Sequence, residues 1–438
     1  MKVFDKVPKG HRLCVVATNV AETSLTIPGI RYVIDCGRSK QRDYDLKTGV
    51  QKYRVKWVSK ASADQRAGRA GRTGPGHCYR LFSSAIFEAD FPQFGEPEML
   101  RMPIEGLVLQ MKAMGLSKIS NFPFPTAIPD SSLQKGLKTL QNIGALDTKE
   151  EITKLGEQMS LFPLHPRHAK MLLIANQNQC LPLIIALVAT MSVNQALLES
   201  NNVPQLDAQA DVLQLLSAFA AFSFESTRDL CENLGLRYKQ MLEAKSLRDQ
   251  LANLVAKFYK PDAVTSTTNM LLKPLDVPNS VQVSTIKQIV AAAYIDLIAI
   301  RQQLVSPNEE SAKIGVKQVT RVPYISSEGP ISYLGTTVMR TAPDLVVYQQ
   351  LNSTETTIRI LPLTSVTMHQ LALLAQGTAL ISYSKPLGGA YAPRQLPNGN
   401  RQIFVVPHYQ NTASNFNGFD LPPQKLVQKR INNKWVNI

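Results

Sequence analysis

The 438-residue chain is 44% hydrophobic and 18% charged, and its 48 Lys and Arg against 33 Asp and Glu give a net charge of +15. This composition excludes a disordered chain, and the length exceeds what one hydrophobic core supports, so we expect about three to four domains. The positive excess favours a polyanionic partner, nucleic acid before membrane, although charge alone leaves a ribosomal or chromatin scaffold open.

The cysteines and the apolar runs bear on the cellular compartment. The five cysteines stand far apart without a C-x-x-C pair, which indicates a reducing compartment rather than a disulfide framework. The start, MKVFDKVPKG, lacks the apolar core of a signal peptide, and the longest apolar runs, Leu181–Met191 and Ile289–Ile300, are shorter than a membrane span. We therefore expect a soluble intracellular protein without a membrane partner.

Short β-branched runs alternate with turns over residues 1–96. This pattern predicts part of an α/β domain with strands at Leu13–Ala17, Tyr32–Asp35, Val50–Val58 and His77–Phe82. Residues 97–165 change to two amphipathic helices, Glu98–Met114 and Ser131–Ile143, separated by a Pro-rich break and followed by a turn and a short strand. This second segment is typical of a small winged-helix module.

Helical periodicity continues over residues 166–303 and predicts a helical bundle. The predicted helices are Ala169–Asn176, Leu181–Ser192, Val212–Phe224, Leu230–Ala256 and Val281–Gln302. Over residues 304–395 an alternating strand pattern returns, and five strands of this kind fit a small β-barrel of the OB type, with a short helix near Met368–Gln376. Residues 396–438 are a C-terminal extension, which we expect to wrap around the other domains rather than fold alone.

A basic β-hairpin is predicted between Arg38 and Lys60. Its two strand-like runs, Arg38–Leu46 and Val50–Val58, meet at Lys47-Thr48-Gly49, where glycine suits the tight position of the turn. The segment holds eight basic residues against two acids, so positive charge is concentrated there.

Alternation along the second hairpin strand predicts two different faces. Lys52, Arg54 and Lys56 lie on one face, and the other carries Tyr53, Val55 and Trp57. We interpret the basic face as a wedge that binds RNA. The alternative is a solvated basic strand beside a small apolar patch.

Residues 65–72 read QRAGRAGR, in which Arg66, Arg69 and Arg72 are spaced three apart with glycines between them. Guanidinium groups bind phosphate oxygens bidentately, and phosphoryl transfer needs such charge neutralisation more than it needs covalent help. The pattern indicates a site that stabilises negative charge at phosphorus. Gly68 and Gly71 would let a ligand approach the backbone closely, although ordinary loop glycines are the alternative.

Residues 18–27, TNVAETSLTI, and the octet QRAGRAGR together resemble the fifth and sixth motifs of the DEAH-box RNA helicases in form and spacing. The resemblance implies that residues 1–96 are the C-terminal part of a second RecA-like domain, followed by winged-helix, ratchet and OB-like domains. It also implies that Arg69 and Arg72 reach a nucleotide across a cleft, while Gln65 positions the attacking water. Arg66 is expected to form a structural ion pair.

The first of these motifs supplies further expected contacts. The resemblance places Thr18 and Asn19 against the RNA backbone, which a hydroxyl and nearby N–H groups can hold without reading its sequence. Ser24 would sense bound nucleotide, although a serine here could instead cap a helix. Phe4 matches an aromatic residue that stacks on adenine. Pro28 stands where several relatives carry an aspartate, so selectivity for the base or ribose is expected to be relaxed.

The sequence contains neither a G-x-x-x-x-G-K-[ST] loop nor a D-E-A-H tetrad. These elements bind the triphosphate of ATP and its Mg²⁺. In the family they belong to a first RecA-like domain, so we expect this chain to be the C-terminal part of a longer helicase and to be inactive on its own. No metal site is predicted within it, because His77, His165 and His168 lack a Cys or carboxylate at ligand spacing.

Three C-terminal segments resemble one branch of the family, the DEAH-box helicase of small-ribosomal-subunit assembly. They are residues 211–251, 322–351 and 418–430. The resemblance implies ATP-driven 3′-to-5′ translocation, displacement of U3 snoRNA from precursor ribosomal RNA, pre-ribosomal assembly factors including an activating partner, and location in the nucleolus. A splicing-type DEAH-box helicase and a non-catalytic RNA-binding scaffold remain as alternatives.

Overall fold

The computed structural model describes residue 4 and residues 7–23, 27–44, 50–100, 103–193, 196–198, 202–305, 319–354, 356–411, 416–431 and 434–437. The chain divides into two compact units, one of residues 1–45 and 51–102, the other of residues 46–50 and 103–438. Among these described residues, no helix combines the length and the apolar character that a membrane crossing requires.

The first unit contains a small parallel sheet, a hairpin and three helices. In chain order its elements are α1 (Val20–Thr23), β1 (Tyr32–Asp35), β2 (Arg38–Tyr44), β3 (Val50–Trp57), α2 (Lys60–Ala67), β4 (His77–Arg80) and α3 (Ser84–Asp90). β1 and β4 pair in parallel, with Tyr32 opposite His77 and Asp35 opposite Arg80. This pairing brings residues on either side of α2 into one sheet.

Three of the four strands predicted for this unit are confirmed to within two residues. The strand predicted over Leu13–Ala17 is wrong, because no described residue pairs with this run and Val16 is 98% exposed. β-branched residues favour a strand only where a neighbouring strand completes the ladder of hydrogen bonds.

Aromatic packing holds the base of the hairpin. β2 and β3 pair antiparallel, with Arg38 opposite Trp57. Trp57 stacks on Phe91 with ring centroids 5.1 Å apart, and the Arg38 guanidinium lies 4.3 Å from the Trp57 ring. Gly37 has a φ of 68°, and a Cβ there would lie 2.7 Å from the Phe82 ring, so only glycine fits this approach. The hairpin therefore projects from a rigid aromatic base.

The second unit begins with three helices, α4 (Glu105–Ala113), α5 (Asp130–Asn142) and α6 (Lys154–Ser160). α5 confirms the prediction at Ser131–Ile143. The helix predicted over Glu98–Met114 starts too early, because Pro103 cannot continue a helix and α4 begins after it. The predicted short strand is reduced to one isolated bridge between Leu146 and Ile152.

Seven helices follow and form a bundle. They are α7 (Pro166–Gln177), α8 (Leu181–Ser192), α9 (Asp211–Phe224), α10 (Arg228–Leu234), α11 (Tyr238–Tyr259), α12 (Val264–Leu271) and α13 (Ser280–Ala293). The single helix predicted over Leu230–Ala256 is wrong. Gly235 has a left-handed φ of 68° and ends α10, so the chain turns before α11 begins. The helix predicted over Val281–Gln302 is wrong in its second half, which forms a strand.

That strand belongs to a closed five-stranded barrel. Its elements are β5 (Ile298–Arg301), α14 (Gln302–Val305), β6 (Pro323–Ser326), β7 (Ile331–Leu334), β8 (Leu345–Ser353), β9 (Ile358–Val366) and α15 (Met368–Leu374). The strands follow the order β8-β5-β6-β7-β9, and β9 closes the ring by pairing with β8. β7 and β9 are parallel, and the other pairs are antiparallel. The predicted small barrel is thus present.

The C-terminal extension contains more regular structure than its sequence predicts. It forms β10 (Ile381–Tyr383), β11 (Arg394–Gln395), β12 (Arg401–Val405), β13 (Pro407–Tyr409), β14 (Phe419–Asp420), β15 (Gln424–Ile431) and β16 (Lys434–Asn437). Tyr409 is fully buried, and its hydroxyl donates to the Ile295 carbonyl at 2.9 Å. Asn411 donates to the carbonyl of Asp296 at 3.2 Å. The extension is therefore tied into the junction between bundle and barrel.

A buried polar cluster lies at the same junction. Arg167 binds the Asp296 carboxylate with both terminal nitrogens, at 2.5 and 2.9 Å. The His168 ring lies between the hydroxyls of Ser192, at 3.3 Å, and Tyr294, at 3.2 Å. Burial first, and then the positive charge of Arg167, lowers the pKa of His168 to about 4. His168 is thus a neutral packing residue at physiological pH.

Candidate functional site

The octet 65–72 spans the last turn of α2 and the loop that follows it. α2 begins after Ser59, whose hydroxyl accepts from the Ser62 N–H at 3.1 Å, and it ends at Gly68. Gln65 and Arg66 therefore lie on the helix, whereas Arg69 and Arg72 follow it. The three arginines therefore stand on different backbone, one on a helix and two in a loop.

Arg66 points into its own unit. Its Nε donates to Glu22 at 2.9 Å, and its Nη1 donates to Asp35 at 3.0 Å. The Asp35 side chain is only 3% exposed, and those of Arg66 and Glu22 are 13% and 15% exposed. Burial alone would lower the pKa of Arg66, but the hydrogen bonds to the two carboxylates raise it. The predicted structural ion pair of Arg66 is present.

This ion pair also joins the two sequence motifs. Glu22 lies in TNVAETSLTI on α1, and Arg66 lies in the octet on α2. Asp35 adds a second attachment at the carboxyl end of β1. Sequence reasoning did not single out Glu22 or Asp35. The sequence could have indicated both, because each is a carboxylate within or next to a segment that the motif or the strand pattern had singled out.

Arg69 is half-buried and differs from Arg66 in its partners. Within the described part of the chain, its Nε and Nη1 are shielded from solvent and have no hydrogen-bond acceptor. A buried donor without an acceptor costs about 1–3 kcal/mol, more when it carries charge. An oxyanion placed against these two nitrogens would satisfy both. The phosphate contact predicted for Arg69 stays a prediction.

Gln65 and Arg72 are exposed, so both can reach a ligand outside the unit. A Cβ at Gly71 would meet no atom within 4 Å, so space is open on this side of the loop. At Gly68 the nearest atom would be 3.4 Å away, an ordinary contact. In the loop after the octet, packing requires glycine at Gly76, where a Cβ would lie 2.2 Å from the Ala70 carbonyl oxygen. Gly76 lets the loop after α2 pack closely beside the sheet.

The structure describes three of the four residues for which the first motif and its neighbourhood predict further contacts. The side chains of Thr18 and Asn19 are exposed, and their carbonyls accept from Ala21 at 3.2 Å and Glu22 at 3.0 Å as α1 begins. Phe4 is 49% exposed. Ser24 lies outside the described residues, so its predicted role stays a prediction.

The hairpin presents cations on both of its faces. Arg54 and Lys56 are exposed on the predicted RNA face. Antiparallel partners share a face, so the pairing of Lys40 with Val55 adds a cation to the face predicted to be apolar. The backbone of Lys52 is in β3, but its side chain and the predicted turn at residues 47–49 lie outside the described residues.

Comparison with protein families matches three segments of the chain. The Helicase conserved C-terminal domain matches residues 1–74. The winged-helix part of the Helicase associated domain, HA2, matches residues 136–164, and its ratchet-like part matches residues 165–252. The helicase C-terminal, winged-helix and ratchet domains are thus supported. The boundaries predicted between domains stay predictions.

Three curated proteins illustrate the similarity to known relatives. A putative ATP-dependent RNA helicase of Schizosaccharomyces pombe is 43% identical over 100% of this chain and 39% of its own length. The probable ATP-dependent RNA helicase DHR1 of Saccharomyces cerevisiae is 39% identical over 100% of the chain and 40% of its own length. The probable ATP-dependent RNA helicase DHX37 of Homo sapiens is 40% identical, covering 81% of the chain and 33% of its own length. The chain thus spans about two fifths or less of these relatives.

Proposed function

We propose that the octet serves ATP hydrolysis coupled to movement along RNA, because this chain belongs to the DEAH-box RNA helicases as the C-terminal part of such a protein. The observation that carries this proposal is the pair of buried, unpaired nitrogens on Arg69. Arg66, three residues earlier, is fully engaged within its own unit, so the octet holds one arginine for the fold and keeps others for a ligand.

Arg69 and Arg72 would neutralise charge on the transferred phosphoryl group of ATP, and Gln65 would orient the attacking water. Ser24 would sense the nucleotide, Phe4 would stack on adenine, and Gly68 would allow close approach of the ligand. Bound ATP with Mg²⁺ supplies the leaving group and the charge of the metal. The triphosphate cradle is expected from a first RecA-like domain, since its loop motif is absent from this sequence.

RNA would contact the same unit through Thr18, Asn19 and the cations of the hairpin. Phosphate contacts of this kind give affinity that is independent of base sequence, as a translocating enzyme needs. We also infer that the five-stranded barrel is of the OB type. Its closed strand order and the parallel pairing of β7 with β9 support this assignment.

The substrate that we propose is precursor ribosomal RNA bound to U3 snoRNA, in assembly of the small ribosomal subunit in the nucleolus. Support comes from the resemblance of the C-terminal segments 211–251, 322–351 and 418–430 to that branch of helicases. An activating partner among the pre-ribosomal assembly factors completes the proposal.

The test is crosslinking of the full-length protein to RNA in cells, followed by sequencing of the bound fragments, together with its RNA-stimulated ATPase. We expect fragments of precursor ribosomal RNA and U3 snoRNA, and turnover that rises with added RNA. Enrichment of spliceosomal RNA would favour a splicing helicase instead. An intact ATP-binding loop with no stimulation by RNA would favour the non-catalytic scaffold.

Charge reversal on the hairpin face should weaken unwinding. In the full-length protein, K52E/R54E/K56E is expected to lower the unwinding rate about tenfold and to make the salt dependence of RNA affinity shallower, with a slope change of about two for three lost phosphate contacts. Strand-displacement kinetics and anisotropy titrations at several salt concentrations measure both effects.

The matched control is K9E/R12E/R31E, which changes net charge equally at exposed positions of the same unit. It should retain the parent slope. If the hairpin variant also keeps that slope, the hairpin does not lie on the RNA path.

A further inference from the structure

The four-stranded sheet β11-β12-β15-β16 of the C-terminal extension has two unlike faces. Side chains alternate between faces along each strand. The inner face carries Ile403, Val405 and Leu426, each at most 6% exposed. Towards its edge, the Arg401 guanidinium lies 4.3 Å from the Trp435 ring. This face is therefore occupied by packing within the chain.

The outer face carries three exposed cations. Strand pairing aligns Arg394 with Gln402 and Phe404 with Lys425, and Lys429 follows Lys425 on the same face of β15. Arg394, Lys425 and Lys429 are exposed, and none of them forms an ion pair with any residue that the structure describes. Lys425 and Lys429 are separated by about 13 Å along the strand. A row of unpaired cations on a flat sheet attracts a polyanion.

Aromatic rings lie among these cations. Tyr391 is 52% exposed and meets Phe404 edge-on, with ring centroids 5.2 Å apart. Stacking of bases on aromatic rings, flanked by cations for the phosphates, is how sheet surfaces bind single-stranded nucleic acid. An acidic peptide would use the cations but gain little from the rings.

The surrounding sequence is also basic, which favours a polyanionic ligand. Residues 385–438 contain seven Lys and Arg and one acid, Asp420. That carboxylate contacts the His408 ring at 2.7 Å and lies on β14, which belongs to a different sheet, β10-β13-β14. The imbalance is local and does not come from the helicase motifs, which lie in the first unit.

We propose that this outer face, defined by Arg394, Phe404, Lys425, Lys429 and Tyr391, binds a single-stranded segment of RNA. The inference rests on the proposed function only in naming RNA as the polyanion. It adds a contact outside the motif-bearing unit, which would hold RNA that has left or not yet reached the translocating site.

The test is fluorescence anisotropy of a labelled oligouridylate mixed with the full chain. The probe has ~20 nucleotides, so it extends several phosphates beyond one stacking site. K425E/K429E should lower affinity about tenfold and make the salt slope shallower by about 1.4, and F404L should lower affinity about fivefold without changing that slope. The matched control is K118E/K149E, with the same change of charge at exposed positions of the second unit. It should bind as the parent does.

Two results would overturn the inference. The first is parent-like affinity in both K425E/K429E and F404L, or no binding of RNA by the chain at all. The second is displacement of the RNA by poly-L-glutamate as effectively as by unlabelled RNA, which would assign the face to an acidic protein partner. Either result leaves the proposed function to be decided by the ATPase of the full-length protein, so the two failures are distinguishable.

Discussion

Replacing Arg69 by alanine in the full-length protein is expected to lower ATP turnover by about 10³-fold or more, while RNA affinity stays unchanged. The reason is that Arg69 has two buried nitrogens without an acceptor among the described residues, and we propose that its charge instead serves the transferring phosphoryl group. Arg72→Ala should also lower ATP turnover, because the exposed Arg72 side chain has no structural role among the described residues. Steady-state ATPase with saturating RNA and anisotropy with labelled RNA measure the two quantities separately.

Arg69→Lys sharpens this test, because it keeps the charge and loses bidentate geometry. We expect it to recover only a small part of the lost rate. Arg12→Ala, at an exposed position outside the octet, should turn over ATP normally. Normal ATPase in both Arg69→Ala and Arg72→Ala would remove the catalytic assignment.

Replacing Arg66 by alanine should instead destabilise the first unit, by about 3 kcal/mol. The substitution leaves Asp35 buried without its cation and breaks the attachment of α1 to α2. The two tryptophans make this measurable, because Trp57 lies in the aromatic base of the first unit and Trp435 lies in the extension. With W435F as the parent, urea unfolding followed by Trp57 fluorescence reports the first unit alone.

Arg69→Ala in the same W435F parent is the comparison that separates fold from function. Its unfolding midpoint should stay near that of the parent or rise, since the residue removed has unpaired buried nitrogens. Glu22→Gln should cost about 1 kcal/mol, because it removes one charge-assisted bond and leaves Asp35 paired. A Trp57 transition in Arg66→Ala that coincides with the parent would show that the ion pair is dispensable.

Local patterns predicted much of the fold. The hairpin, β1, β4 and α5 follow from alternation, turn residues and helical periodicity over short stretches, and each is present. The strand β5 could not be predicted this way. Its residues continue the apolar pattern of α13, and they become a strand because β6 and β8 pair with them from both sides. Such pairing is non-local and leaves no local signal.

The candidate site shows the same division. The octet could be singled out from three arginines and the glycines between them, and the chemistry predicted for it stays a prediction. The separate environments of Arg66 and Arg69 could not, because they depend on Glu22 and Asp35, which are distant in sequence. The helix ends at Gly68, so Arg66 lies on the helix and Arg69 follows it. Likewise, closure of the barrel depends on a parallel pairing between β7 and β9, which no hairpin turn in the sequence predicts.

The bond from the Tyr409 hydroxyl to the Ile295 carbonyl bears on how the protein is made. Its two ends are 114 residues apart, so the donor is translated well after the acceptor. At about 5–20 residues per second, the carbonyl emerges roughly 6–23 s before its donor. The nascent second unit thus cannot complete this junction until Tyr409 has been synthesised, and a message cut short before the Tyr409 codon would yield a polypeptide in which the Ile295 carbonyl never meets its buried donor.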